Sequence, residues 1–188
     1  GLSIIAILVI AGCAHKMVEK PVQVPSEKAI LHEVIVKRID MDFSSRNGLT
    51  PVVVLANKEN DKQMLPIWVG MSEGMSINMV LNKQVPPRPG THDLMANVLN
   101  QFHIKLVRVV ITDLKDNTYT AVMTARSYSD TREIDTRPSD AIALALRCVA
   151  PIFVSDVVIQ KSGWVEVMEV PQQKIEKNER EKKDINRI

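Results

Sequence analysis

The chain has 188 residues, enough for one domain with appended segments, and its 45% apolar content excludes wholesale disorder. Aromatic residues make up only 4%, which argues against a stacking platform for single-stranded nucleic acid, because such a platform needs several exposed rings. A formal net charge of +2 excludes a global electrostatic footprint for DNA, although it leaves room for a local basic patch.

The first residues carry the pattern of an export signal. The apolar run from Leu2 to Ala11 is too short to cross a bilayer core of about 30 Å, which requires roughly 20 helical residues. It suits the apolar region of a secretory signal peptide, and the stretch 10–13, Ile-Ala-Gly-Cys, resembles a bacterial lipobox. We therefore expect residues 1–12 to be a signal peptide, truncated at its start, and Cys13 to be the lipid anchor. A truncated transmembrane anchor is the alternative interpretation.

Lipidation of Cys13 predicts a protein of the bacterial cell envelope, anchored in the membrane by acyl chains on an exported face. Ala14 follows the cysteine, and by resemblance to Gram-negative lipoproteins this favours the outer membrane. Residues 13–30 contain two prolines and few apolar residues, which predicts a flexible spacer between the anchor and the domain.

The domain body begins with three predicted strands and a helix. Apolar residues at alternate positions predict the first strand, over residues 31–43. A continuous apolar run predicts a buried strand over residues 50–57, and after a turn the chain returns as a third strand over residues 63–69. The helix over residues 70–82 carries Met71, Met75 and Met79 at helical spacing, so these side chains are expected in the core.

The segment 85–90, Val-Pro-Pro-Arg-Pro-Gly, predicts a loop, because proline interrupts both helices and strands. Thr91 is predicted to cap a second helix, in which Asp93 suits the positive end of the helix dipole. Further strands are predicted over residues 104–114, 119–125, 131–136 and, after a third helix, 151–154.

The third helix is apolar nearly all the way round. From Ala141 to Val149 its only polar side chain is Arg147, and a helix without a polar face is normally buried on more than one side. Charges are seldom buried unless they are paired, yet three charged residues lie at its start. This cluster, formed by Asp135, Arg137 and Asp140, is either a structural ion-pair network or the wall of a site.

The two halves of the chain share a pattern at an offset of 67 positions. Residues 72–77 fall on residues 139–144, with Ser on Ser and Glu73 on Asp140. We interpret the match as a duplicated strand-strand-helix unit, with a chance match as the alternative. Such a duplication predicts an α+β domain, a mixed β-sheet with packed helices, and leaves open whether Glu73 and Asp140 meet.

Several stretches together resemble the bifunctional nuclease (BFN) family. They cover residues 65–70, 87–94, 110–118, 134–147 and 150–154, and the run Arg-Pro-Ser-Asp-Ala-Ile-Ala-Leu-Ala is the most specific of them. The resemblance covers about residues 31–160, which we take as the nuclease-like domain, followed by a charged C-terminal tail over residues 161–188. It implies cleavage of DNA and RNA, and a homo-oligomer.

Phosphodiester hydrolysis needs an activated water, charge stabilisation on phosphate oxygens and a proton for the leaving group. The sequence leaves the cofactor unknown: a divalent cation such as Mg²⁺ or Mn²⁺ is one candidate, and no metal-ligand spacing identifies a metal or its ligands. The candidate catalytic residues are His92, Asp93, Asp135, Arg137 and Asp140. Helix capping and ion pairing are the structural alternatives for each of them.

Two functions are consistent with these features. The first is an exported, membrane-tethered nuclease with DNA or RNA as its partner. In it Asp135, Asp140 and His92 handle metal or proton transfer, and Arg137 neutralises phosphate. The alternative is a non-catalytic, oligomeric binding or scaffolding module at the cell envelope, which the near-neutral charge favours.

Overall fold

The computed structural model describes residues 29–44, 48–128 and 130–166. The predicted signal peptide, Cys13, nearly all of the spacer and most of the C-terminal tail lie outside these residues. Within the described part of the chain, no helix is long and apolar enough to cross a membrane.

Strands and helices alternate in groups along the chain. The strands are β1 (Leu31–Asp42), β2 (Thr50–Asn57), β3 (Gln63–Trp68), β4 (Ile104–Lys115), β5 (Thr118–Ser127), β6 (Asp130–Thr136), β7 (Ile152–Ser155) and β8 (Val165–Glu166). The helices are α1 (Met71–Leu81), α2 (Thr91–Gln101), α3 (Pro138–Cys148) and α4 (Asp156–Ser162).

The strands form one eight-stranded sheet in the order β6-β5-β4-β7-β1-β2-β3-β8. Neighbouring strands are antiparallel except β4 and β7, which run parallel. The mixed sheet and its packed helices confirm the predicted α+β class. Both halves contain three strands followed by a helix, in the order β1-β2-β3-α1 and β4-β5-β6-α3, while the duplication itself stays a prediction.

Helix α3 lies at the centre of the core, as its apolar sequence predicts. Its residues from Pro138 to Ala145 are buried except for Asp140, and they pack against α1, α2, β4 and β5. Proline suits the first turn because the backbone N–H that it lacks would have no partner there. The helix ends where Val149 adopts a left-handed conformation with φ 52°, which stops the regular hydrogen bonding.

Alternation along β2 defines two faces of the sheet. Val53 and Leu55 belong to the main core with the helices, so we call their side the helix face. Val54 and Ala56 point the other way and pack with Met64 in a smaller cluster on what we call the far face. Strand β2 is therefore buried on both faces, which explains its continuous apolar run.

Three expectations from the sequence differ from the structure. Met71 and Met75 are exposed, so the prediction that the methionines of α1 lie in the core is wrong for these two; Gly74 and Ile77 supply the buried side of that helix instead. Thr91 is the first helical residue of α2, and Gly90 takes the N-cap position. The described fold also continues beyond residue 160, because α4 extends to Ser162 and β8 pairs with β3.

Candidate functional site

Helices α1, α2 and α3 converge so that their polar side chains face one cleft. Both α1 and α2 pack against α3, which places the N-terminal turns of α2 and α3 beside the middle of α1. The cleft encloses about 450 Å³. The residues of its wall that matter for chemistry are Glu73, Ser76, Arg88, His92, Arg137 and Asp140.

His92 lies between the other two helices. Its Nε2 is 3.1 Å from Oδ1 of Asp140 on α3, and its Nδ1 is 3.0 Å from Oγ of Ser76 on α1. The His92 side chain is only 13% exposed, so solvent competes little with these contacts. One imidazole therefore joins a carboxylate and a hydroxyl across three helices.

Arg137, the N-cap residue of α3, holds two carboxylates together. Its Nε donates to Oδ2 of Asp140 at 2.7 Å, and its Nη2 donates to Oδ1 of Asp140 at 3.1 Å and to Oε1 of Glu73 at 2.9 Å. These contacts, led by the hydrogen bond to Asp140, raise the pKa of the guanidinium. The Arg137 side chain nevertheless stays 68% exposed, so part of it faces the solvent of the cleft.

Both carboxylates are ionised at neutral pH. The hydrogen bond from its own backbone N–H, with those from Ser72 and Arg137, lowers the pKa of Glu73 against the opposing effect of burial. Burial alone would raise the pKa of Asp140, but the hydrogen bonds from Arg137 and His92 outweigh burial and lower it. Each carboxylate is thus available as an acceptor and as a negative charge.

Asp93 supports the site from behind. Its Oδ2 accepts the backbone N–H of Gly90 at 2.9 Å, which closes the first turn of α2, and its Oδ1 accepts Nε of Arg147 at 2.6 Å. Arg147 also donates to the backbone oxygens of Ala143 at 3.0 Å and Ser76 at 3.3 Å. Through these contacts the Asp93–Arg147 pair connects the three helices.

Asp135 lies apart from the other candidates. In the β5–β6 ladder it pairs with Val122, whose neighbour Ala121 belongs to the core on the helix face. Since side chains alternate along a strand, Asp135 lies on the far face of the sheet. It makes no side-chain hydrogen bond or ion pair with the described residues. The structure thus brings together His92, Asp93, Arg137 and Asp140, and leaves Asp135 outside.

The residues of the cleft do not fit a divalent cation, the candidate cofactor that the sequence left open. Across the described ranges, no three His, Cys, Asp or Glu side chains are grouped so that they could hold a metal ion. Where a cation would bridge Glu73 and Asp140, the Nη2 of Arg137 already bonds to both. The guanidinium already occupies that position, and we assign no step to a metal.

The sequence analysis missed two residues of the cleft. At the predicted offset of 67 positions Ser76 falls on Ala143, which is fully buried. The available signal was therefore a polar side chain at a position whose predicted counterpart is apolar. Arg88 lies in the proline-rich loop, is exposed, and makes no ion pair with any described residue. Nothing local in the sequence shows that this loop borders the cleft.

Residues 53–166, more than half of the chain, match the family described as the Bifunctional nuclease domain. The chain is also similar to two uncharacterized proteins of Mycobacterium tuberculosis, MT1877 and Rv1829. Each is 35% identical to it over 111 residues, which is 59% of this chain and 66% of the relative. The match thus spans just under two thirds of the length of these relatives. The chain belongs to the bifunctional nuclease domain family.

Proposed function

We propose that the chain is a nuclease that hydrolyses phosphodiester bonds of DNA and RNA in the cleft between α1, α2 and α3. The observation that carries the proposal is the His92–Asp140 pair, held at 3.1 Å beside the exposed guanidinium of Arg137. Membership of the bifunctional nuclease domain family supports the same reaction class.

His92 is the proton-transfer group. A histidine is suited to general acid–base catalysis near neutral pH, and a carboxylate partner fixes its ring orientation and stabilises the protonated form. Asp140 supplies that partner, and its own contacts with Arg137 hold it in place. The pair is therefore positioned before substrate arrives, so little reorganisation is needed during the reaction.

Arginine side chains supply the phosphate contacts. Guanidinium groups bind phosphate with paired, charge-assisted hydrogen bonds. Arg88 offers a cation at the edge of the cleft that has no ion-pair partner among the described residues, and Arg137 offers the solvent-facing part of its side chain. A phosphodiester lying between them would place its phosphorus close to the His92–Asp140 pair.

The test is a nuclease assay on the purified full chain with supercoiled plasmid DNA and single-stranded RNA, in the presence and absence of a chelator. We expect cleavage of both substrates, and a loss of about 10²–10⁴-fold in His92→Gln and Asp140→Asn. The control is His103→Gln, since His103 follows α2 but lies outside this cleft. Wild-type activity in Asp140→Asn would overturn the assignment of the active site to this cleft. A wild-type chain without activity would overturn the nuclease function.

For the location of the enzyme we propose the bacterial cell envelope, with the domain tethered to an exported membrane face through lipidated Cys13. The proposal rests on the lipobox-like stretch at residues 10–13. Cells fed radiolabelled palmitate should incorporate the label into the wild-type chain and not into Cys13→Ser. Equal labelling of the two chains would exclude Cys13 as the anchor.

A second candidate function is a non-catalytic, oligomeric scaffolding module. It is favoured by α2, which has no fully buried residue and exposes Leu94 (59%) on the same side as Val98 (44%) and the C-cap residue Phe102 (69%). If that side joins two copies, Val98→Glu should lower the molar mass measured by light scattering, while Asn100→Glu on the same helix should not. A chain that stays monomeric at all concentrations, or an unchanged mass in Val98→Glu, would exclude this interface.

A further inference from the structure

Ser76, His92 and Asp140 form a continuous hydrogen-bonded line across α1, α2 and α3. The distances are 3.0 Å from Ser76 Oγ to His92 Nδ1 and 3.1 Å from His92 Nε2 to Asp140 Oδ1. Each residue comes from a different helix, and all three side chains border the same cleft. A hydroxyl, an imidazole and a carboxylate in this order are the components of an activated nucleophile.

We propose that Ser76 is the nucleophile of the cleft and that phosphodiester cleavage passes through a covalent phosphoserine intermediate. This inference rests on the proposed nuclease function and adds to it the residue that attacks phosphorus. It also gives the site a reaction that needs no metal ion, which agrees with a set of side chains that does not fit one.

The protonation pattern gives the direction of proton transfer. Asp140 is ionised at neutral pH, since its hydrogen bonds lower its pKa, and an ionised carboxylate only accepts hydrogen bonds. In the neutral imidazole, Nε2 must therefore carry the proton that is donated to Asp140, which leaves the lone pair on Nδ1. Ser76 Oγ faces that lone pair, so the hydroxyl donates its proton to His92.

This arrangement favours Ser76 over a water molecule as the attacking group. Both ring nitrogens of His92 are engaged by protein side chains, and the one that acts as a base faces Ser76. A water molecule would have to displace the Ser76 hydroxyl before His92 could deprotonate it. The serine already has the separation of nucleophile and base that nucleophilic catalysis requires, about 2.6–3.2 Å.

The surroundings hold Ser76 in place and carry the charge that a phosphodiester requires. Nη2 of Arg147 donates to the backbone oxygen of Ser76 at 3.3 Å, which attaches this turn of α1 to α3. Arg88, which has no ion-pair partner among the described residues, and the solvent-facing part of Arg137 border the same cleft and can donate hydrogen bonds to the non-bridging phosphate oxygens. A carboxylic ester has no comparable negative charge, so the cleft suits a phosphodiester better.

The first chemical step joins the substrate to the protein. Ser76 Oγ forms a bond to phosphorus as its proton moves to His92 Nδ1, and the bond from phosphorus to the leaving nucleoside oxygen breaks. That oxygen takes the proton from His92 and departs as an alcohol. The result is a phosphodiester between Ser76 and the remaining nucleotide, with the charge of the phosphate unchanged.

The second step releases the nucleotide. Water attacks phosphorus and gives a proton to His92, the bond between phosphorus and Ser76 Oγ breaks, and the proton returns to that oxygen. The sum of the two steps is one phosphodiester plus one water giving one phosphomonoester and one alcohol. No electron transfer is involved, and no co-reactant other than water is consumed.

The experiment combines hydrolysis with covalent labelling of the full chain by diisopropyl fluorophosphate. An activated serine displaces fluoride from this reagent and forms a stable phosphotriester, whether or not the chain cleaves nucleic acid. We expect one label per chain, located at Ser76 by peptide mass spectrometry and lost in Ser76→Ala and His92→Gln. Ser162→Ala, which changes a helical serine outside the cleft, is the control and should label like the wild type.

The two readouts separate the failure of each proposal. Nuclease activity with a label at Ser76, and a fall of about 10³-fold or more in Ser76→Ala, would support both. Activity that survives in Ser76→Ala, without a label, would overturn the serine nucleophile and leave the nuclease proposal standing. A label at Ser76 in a chain without nuclease activity would keep the activated serine and overturn the phosphodiester substrate. Neither label nor activity would overturn both.

Discussion

Glu73 and Asp140 share one nitrogen atom of Arg137. The Nη2 of that arginine donates to Oε1 of Glu73 at 2.9 Å and to Oδ1 of Asp140 at 3.1 Å. The two carboxylates lie in the first turns of α1 and α3, 67 positions apart, which is the offset of the predicted duplication. The sequence left open whether the two carboxylates meet. In the structure both bind the same guanidinium, that of Arg137, the N-cap residue of α3.

The first prediction concerns this shared cation. In Arg137→Ala the hydrogen bonds from Arg137 that help to lower the pKa of Asp140 are lost, while the contact with His92 and burial, which raises the pKa, remain. The pKa of Asp140 should rise, so the ionised carboxylate that His92 needs disappears at a higher pH. The acid limb of a pH–rate profile for plasmid cleavage should therefore shift upward. The control is Arg126→Ala, at an exposed position of β5, which should leave the pH–rate profile unchanged. An acid limb that does not shift in Arg137→Ala would contradict the role of Arg137 in keeping Asp140 ionised.

The second prediction concerns the ion pair behind the cleft. The Arg147 side chain is 9% exposed and that of Asp93 is 29% exposed, and they meet at 2.6 Å. Arg147→Met removes the charged hydrogen bond to Asp93, whose carboxylate keeps the Gly90 N–H and some solvent contact, and should lower the free energy of unfolding by about 1.5–3 kcal/mol, the range for hydrogen bonds to charged groups. Urea denaturation measures this change. Arg132→Met breaks an exposed pair with Asp130 and should change the midpoint little.

The third prediction is the response of that pair to acid. The hydrogen bond from Arg147 holds the pKa of Asp93 below its ordinary value of 3.8. A carboxyl with a lowered folded pKa contributes stability that is fully present above its unfolded pKa and is lost as the pH falls through the folded value. The urea midpoint should therefore fall as the pH drops below about 4. In Asp93→Asn the midpoint should already be low at neutral pH and depend less on pH over that interval.

The fourth prediction tests how closely α1 packs on the sheet. A Cβ added at Gly74 would lie 2.6 Å from Cβ and 2.8 Å from Cγ of Pro51, a ring that cannot move aside. Both distances are below 3.0 Å, so we take the upper part of the overpacking range, about 2–3 kcal/mol, of which the helix preference of alanine offsets about 1 kcal/mol. Gly74→Ala should therefore lower the free energy of unfolding by about 1–2 kcal/mol, measured by thermal or urea denaturation. Asn78→Ala on the exposed side of α1 is the control, and a Gly74→Ala chain as stable as the wild type would show that α1 can shift.

Local patterns in the sequence were sufficient for the element types and for the family. The continuous apolar run of β2 and the apolar circumference of α3 indicate burial directly, because side chains alternate between the faces of a strand and point all round a helix, so both surfaces of each element are apolar. The same reasoning missed α4 and β8, which are too short to show a period. It also wrongly placed Met71 and Met75 in the core. Helical spacing shows that these side chains lie on one side of α1, but it does not show whether that side faces the core or the solvent.

The composition of the cleft was decided only by the tertiary structure. Asp135 and Asp140 are only five positions apart in the chain. Asp135, on β6, nevertheless lies on the far face of the sheet, whereas Asp140, in α3, lies on the helix face. Ser76, His92 and Asp140 come from three helices, and their contact depends on how α1 and α2 are set against α3. The sequence by itself determined the segments and the charged start of α3. The orientation of packed helices, which depends on the whole core, decided which charges and hydroxyls meet.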